Sequence, residues 1–285
     1  MEICFTDNIE HTLLDILNKE LSNSLHTKIS VAFAKLSGYN LLKDLLNDNL
    51  QSGKSVEIVL GLDYKITDPQ ILRELFSLSG RNLPIDYCCF SEAKISDLPF
   101  FHPKLYMLNK EDAIISAIGS SNLTKGGLKS NIEVNTIIYS NPLEEVTSDL
   151  IDVFNRIKYR GLRFIPDEAY IDAYERVYET AKKEQRKKVR SVGITNEIKK
   201  LKEQEMELPK PTLKPENLSG WMKAVWERLP EKEFSNQDIY RYKKEFSQIY
   251  PENRNIEAKI RQQLQFLRDI ELLDHAGRNL WKKIR

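Results

Sequence analysis

Hydrophobic positions in the first half of the chain follow two spacings. Residues 13–25 and 39–49 carry apolar side chains at the interval of a helix buried along one side, and residues 70–77 repeat it behind Asp68-Pro69, a helix-start signal. Residues 28–34 and 56–62 read as strands, the second apolar on both faces. Further strands are predicted over 86–90, 104–108, 113–118 and 132–139, then a helix over 143–157. Helices and strands mixed in this way predict an α/β domain around a central mixed sheet.

From about Pro166 the pattern changes. Residues 170–188 are strongly helical and end in a basic run, Lys182 to Arg190, and a charged, proline-bearing stretch continues to Ser219. Such a run is most often a solvated helix face, and residues 166–217 are expected to connect two domains. Helical spacing returns over 219–228. Ser235-Asn236-Gln237-Asp238 marks a capped start for a second helix that ends near Tyr250-Pro251. A third covers 254–269, with Ile256, Ile260, Leu264 and Leu267 on one stripe and Lys259, Arg261, Gln262, Gln265 and Arg268 over the rest. Residues 272–281 then read as a hairpin turning at Ala276-Gly277. Three helices and a wing predict a small, mainly helical winged-helix domain over 218–285. In that fold the third helix enters the major groove, which makes Arg254, Lys259, Arg261, Gln262, Gln265 and, from the wing, Arg278 the candidate DNA-binding residues. The alternative is a winged helix used for dimerisation or protein contact.

Composition narrows the class. The 285 residues are 41% hydrophobic, enough for one large or two ordinary domains. No apolar run approaches the ~20 residues that cross a bilayer, and Met1-Glu2-Ile3-Cys4 opens no signal-like segment. Three cysteines, two of them adjacent at Cys88-Cys89, form neither a disulfide framework nor a metal site, so a reducing cytoplasm is expected, with no membrane partner. The net charge of +1 hides an uneven distribution: residues 161–285 hold 27 Lys+Arg against 21 Asp+Glu, and residues 1–160 hold 16 against 21. A polyanion would approach through the C-terminal part.

The chemistry concentrates in Phe101-His102-Pro103-Lys104-Leu105-Tyr106, Gly119-Ser120-Ser121-Asn122 and Glu133. Alternate side chains of an extended strand share a face, so His102 and Lys104 are expected together, as are Ser120 and Asn122 on the next strand. Breaking a phosphodiester without a metal needs a nucleophile available near neutral pH, a cation for the phosphoryl oxygens and an acid for the leaving oxygen. Histidine serves as nucleophile or acid, and lysine supplies the charge. Ser120 and Asn122 add neutral donors, and Glu133 is expected to hold one imidazole nitrogen so that the other faces phosphorus. Singly, each residue has a plainer reading: a satisfied histidine, a turn serine, a solvated glutamate. Together, at these spacings, they predict a phosphate site.

The same residues carry a resemblance. His102-Pro103-Lys104, Gly119 to Asn122 and Glu133 resemble the HxK…GSxN…E signature of the phospholipase D superfamily, and the chain resembles its nuclease branch, the restriction endonucleases typified by NgoFVII and BfiI. The likeness runs on through Leu123-Thr124-Lys125-Gly126-Gly127-Leu128, reaches back loosely through residues 30–39, and covers roughly the first half of the chain. Asn109 stands where the superfamily often has an aspartate five residues after the lysine. The resemblance implies a mixed-sheet sandwich over residues 1–165 that catalyses and dimerises, and a phosphohistidine mechanism with no metal or cofactor. One histidine attacks phosphorus, and a second, from another motif copy, protonates the leaving group. His11 and His275 have no lysine two residues on, and His26-Thr27-Lys28, which has that spacing, has no Gly-Ser-x-Asn element of its own, so the single complete copy implies a homodimer. In the C-terminal part, Leu267-Arg268-Asp269-Ile270-Glu271-Leu272-Leu273 is similar to the segment closing many restriction-enzyme winged helices.

The resulting expectation is a metal-independent, site-specific endonuclease of the restriction type acting on double-stranded DNA, with a cognate DNA methyltransferase as a partner protecting host DNA. The alternatives are a nuclease component working with a translocase in defence or repair, a nonspecific nuclease, a phospholipid hydrolase, or a non-catalytic DNA-binding regulator.

Overall fold

In the computed structural model, which describes residues 1–90, 100–159, 163–189, 203, 214–218, 220–251, 253–277 and 279–284, the chain divides into two units, residues 1–195 and 196–285. The first unit follows the order β1 (Glu2–Thr6), α1 (Leu13–Leu21), β2 (His26–Val31), α2 (Leu36–Tyr39), α3 (Lys43–Gln51), β3 (Ser55–Gly61), α4 (Pro69–Ser79) and β4 (Ile85–Phe90). It continues with β5 (Lys104–Asn109), β6 (Ile114–Gly119), β7 (Asn135–Ser140), α5 (Glu145–Tyr159), β8 (Arg163–Phe164) and α6 (Glu168–Val189). The strands make one mixed sheet in the order β1-β7-β6-β5-β2-β3-β4-β8. The pairs β2/β3 and β3/β4 are parallel and the rest antiparallel.

Both faces of the sheet are covered, which is why β3 carries apolar residues on both of its faces. Ile29, Val31, Ile58, Leu60, Tyr106 and Leu108 pack on one side with Leu13 and Leu17 of α1, Leu46 and Leu50 of α3, and Ile71, Leu72 and Leu75 of α4. On the other side Val59, Cys88, Leu105 and Met107 meet Phe154 of α5. Behind α5, Lys158 bonds Glu57 and Asp86, and Glu57 also takes Lys28, so the charges that a covered sheet face would orphan are paired. The three thiols are free; Cys88 and Cys89 are buried, and burial pushes both upward in pKa. Among the described residues no helix is long and apolar enough to cross a membrane.

Three features depart from the sequence reading. The helix expected over 39–49 is broken into α2 and α3, and strand β1 was not anticipated. The segment from residue 166 does not begin as a linker, because Ile171, Tyr174 and Tyr178 of α6 lie in the first core. Tyr174 donates to the Thr67 carbonyl at 2.8 Å, and Arg73 reaches Asp172 at 2.7 Å and Glu175 at 2.5 Å. Those three apolar positions share one stripe of a helix whose other faces are charged, and the charges masked it. The side chains of Arg186, Lys187, Lys188 and Arg190 in the basic run lie outside the described residues.

The second unit contains α7 (Gly220–Trp226), β9 (Phe234–Ser235), α8 (Asn236–Tyr240), α9 (Lys243–Ile249), α10 (Ile256–Asp269), β10 (Leu273–Gly277) and β11 (Leu280–Lys283). Its core is Val225, Phe234, Ile239, Phe246, Ile260, Leu264, Leu267 and Leu272. Ser235 and Asp238 form the expected capping box at the start of α8. The three strands pair in the order β10-β11-β9, and Trp281 fixes the sheet to α8 through Nε1 on Asn236 Oδ1 at 2.8 Å. The hairpin reverses later than Ala276-Gly277: β10 continues to Gly277, which pairs with Leu280, and Asn279 takes the left-handed φ of 63° that Asn tolerates.

Candidate active site

Lys104 begins β5 and His102 lies two residues ahead of it, outside the strand. Their side chains meet as the alternation predicts. Lys104 Nζ stands 2.6 Å from His102 Nδ1, 3.1 Å from Nε2 and 3.2 Å from the His102 carbonyl. Lys104 is only 9% exposed, whereas His102 is open to solvent. Burial, and then the adjacent ammonium, push the His102 pKa below its ordinary value, which favours the neutral ring. Burial likewise lowers the pKa of Lys104, with the Glu133 charge opposing it.

Ser120 and Asn122 follow β6 rather than continuing it, which corrects the expectation of a shared strand face. Ser120 is exposed and donates through Oγ to Glu133 Oε2, while Val134 N–H donates to the same Oγ at 3.0 Å. Asn131 Nδ2 bonds the other carboxylate oxygen at 3.3 Å. Glu133 therefore holds Ser120 and Asn131, and not the His102 ring of its own chain. Asn122 is 9% exposed and accepts the Phe33 N–H on Oδ1 at 3.2 Å, which turns its Nδ2 into a donor available to a ligand.

The loop carrying these residues is tied down by groups that the sequence did not reveal as part of the site. Buried Tyr106, on β5, donates to the Ser121 carbonyl at 3.1 Å. Asn135 donates to Ser121 Oγ at 2.9 Å and to Thr6 Oγ1 at 3.1 Å, and Ser121 Oγ donates to the Gly127 carbonyl at 2.7 Å. Gly127 packs so closely that a Cβ there would lie 2.4 Å from the Asn122 carbonyl oxygen. The nearest signal in the sequence was the position of Tyr106, two residues past Lys104 on the same strand face. The arrangement offers a neutral imidazole, one cation and neutral donors along one end of the sheet, the set needed to bind and attack a phosphoryl group.

In the second unit, Arg254, Arg261 and Gln265 are exposed, and Arg261 and Gln265 share one side of α10 with Arg268. Arg261 Nη1 donates to Tyr240 Oη at 3.0 Å, and Arg268 forks onto Asp269 at 2.7 and 3.0 Å. Gln262 is half-buried. Lys259, also half-buried, points away from this stripe, because two helical residues rotate it by roughly 160° from Arg261. Arg278 lies outside the described residues.

Residues 17–158 match the family model "Cardiolipin synthase, PLD-like domain", and residues 218–283 match "Dam-replacing HTH domain". Among solved structures, the chain is similar to NucT from Helicobacter pylori, with 14% identity and a TM-score of 0.41 over 55% of this chain and 94% of that one. It is similar to Nuc, a phospholipase D family member from Salmonella typhimurium, with 14% identity and a TM-score of 0.43 over 58% and 99%. For phosphatidylserine synthase from Haemophilus influenzae Rd KW20 the identity is 13% and the TM-score 0.47, over 66% and 46%. The chain thus joins a phospholipase-D-like domain to a Dam-replacing helix-turn-helix domain of the winged-helix kind.

Proposed function

We propose that the protein is a site-specific endonuclease of the restriction type that hydrolyses double-stranded DNA through a phosphohistidine, as a homodimer and without a metal. The observation that carries this reading is the Lys104 ammonium seated 2.6 Å from the His102 imidazole in a chain that also holds a Dam-replacing helix-turn-helix domain. His102 attacks phosphorus, forming an N–P bond as the P–O bond to the leaving sugar breaks. The leaving oxygen takes its proton from the His102 of the second subunit, which enters the step as the imidazolium while the attacking ring is neutral. That neutral imidazole then draws a proton from water as water displaces the phosphohistidine, leaving a phosphate monoester and a free hydroxyl. Lys104 and Asn122 Nδ2 balance the charge on the non-bridging oxygens, and Ser120 and Glu133 shape the adjoining wall.

The dimer has its own support. Phe5 (66% exposed), Val134 (62%) and Ile118 (37%) lie on β1, beside β7 and on β6, next to Ser120 and Glu133. Apolar side chains left open beside a site that lacks its second imidazole suit a second copy. Arg254, Arg261 and Gln265 are the base-reading candidates of the C-terminal unit.

The test is incubation of purified protein with mixed plasmid DNA in EDTA, followed by end sequencing. Discrete ends are expected, with His102→Ala reducing the rate by about a thousandfold or more. Scattered ends would indicate a nonspecific nuclease, dependence on a supplied translocase a larger system, and full activity in His102→Ala would remove the site assignment. Unaffected DNA with hydrolysed liposomes would identify a lipid enzyme.

A further inference from the structure

We propose that the pocket beside His102 is a nucleobase subsite, which takes one unpaired base next to the scissile phosphate. This deepens the nuclease reading and rests on it. The pocket has a volume of about 270 Å³ and is lined by Ala32, Phe33, Ile66, Phe101 and the His102 ring. Ala32 and Phe33 follow β2, Ile66 follows the short turn after β3, and Phe101 precedes β5. It therefore opens at the carboxyl ends of the parallel strands β2 and β3, where α/β sheets commonly hold ligands.

Its chemistry divides a nucleotide in two. Charge on the phosphate is met by Lys104 on one side of the imidazole. On the other, no charged side chain among the described residues lines the pocket, which therefore suits the uncharged aromatic part of the same nucleotide. Phe33 is half-exposed and can offer a ring to stack on, a contact that tolerates any base. The volume falls below the roughly 300–1,000 Å³ of pockets for drug-sized ligands, in keeping with one base.

The walls are held before any ligand arrives. Phe33 N–H donates to Asn122 Oδ1 at 3.2 Å, so a signature residue itself fixes the stacking residue. Ala32 N–H donates to the Pro103 carbonyl at 2.9 Å, and Phe101 N–H to Asp63 Oδ2 at 3.3 Å. The Phe101 ring stacks on Phe90 at 5.2 Å with the Arg163 guanidinium 5.0 Å above it. A base paired within a duplex cannot enter such a recess without leaving its stack. The site consequently favours cutting where the neighbouring nucleotide is extruded, mismatched or single-stranded.

The test measures binding and cleavage separately on the full chain. Calorimetry compares a deoxynucleoside 5′-monophosphate, deoxyribose 5-phosphate and a short-chain phosphatidic acid. The nucleotide is expected to bind about tenfold more tightly than the base-free sugar phosphate, and Phe33→Ala to abolish the difference. Ile66→Ala, at another lining residue, should shrink it as well and covers the case in which Phe33→Ala does not fold. Equal binding of nucleotide and sugar phosphate, or preference for the lipid, would overturn the subsite. In the cleavage arm, an abasic residue at one flank of the cut should slow wild type about tenfold but not slow Phe33→Ala further. Base-dependent binding without cleavage of any DNA would sink the nuclease reading and leave the subsite standing. Cleavage indifferent to abasic residues on both flanks would do the reverse.

Discussion

The Lys104 ammonium lies at the edge of the His102 ring, with Nζ 2.6 Å from Nδ1 and 3.1 Å from Nε2. In the proposed mechanism, a bound phosphate draws that cation off the imidazole. Partial burial first, and the ammonium second, hold the His102 pKa below its ordinary value. Lys104→Gln should move that pKa upward, read from the His102 resonance among four histidines in a pH titration. The sign for stability follows. With the folded pKa depressed, the contribution is present above the ordinary histidine range and is lost as pH falls through the folded value. An unshifted resonance would mean that the two groups do not touch in solution.

Gly127→Ala should damage the site from behind. The new Cβ would meet rigid Asn122 backbone at 2.4 and 2.9 Å, so the loop carrying Asn122 must move. Overpacking of this kind costs roughly 1–3 kcal/mol. Thermal unfolding should register that loss, and phosphate binding should weaken even where the protein stays folded.

Phe5→Asp and Ile118→Asp should separate the proposed dimer. Both side chains face solvent within one subunit, so the change should cost the fold little. Light scattering is expected to show a monomer, with nuclease activity falling in step with dimer content. A monomeric wild type that cuts DNA would rule out the shared site.

Arg254→Ala and Arg261→Ala distinguish reading from holding. Loss of a base contact should cost about 1–3 kcal/mol and relax preference at one position, while loss of a phosphate contact weakens all sequences alike and flattens the salt slope. Tyr240→Phe removes the partner that orients Arg261 and should reproduce part of its effect. Fluorescence anisotropy on cognate and scrambled duplexes over a salt series separates these outcomes.

The sequence by itself determined the alternation of elements around a mixed sheet, the winged-helix pattern and the pairing of His102 with Lys104. Each is a local property: side chains two apart on extended chain share a side, and apolar residues three to four apart share a helix face. Tertiary structure alone decided that Ile171, Tyr174 and Tyr178 sink into the first core, that Glu133 holds Ser120 rather than the imidazole, and that Tyr106 and Asn135 brace the Ser121 loop. Such contacts join residues far apart in the chain, 107 positions between Tyr174 and Thr67 and 129 between Asn135 and Thr6. Their partners are chosen by how loops close over the sheet ends, and spacing along the chain carries no information about that closure.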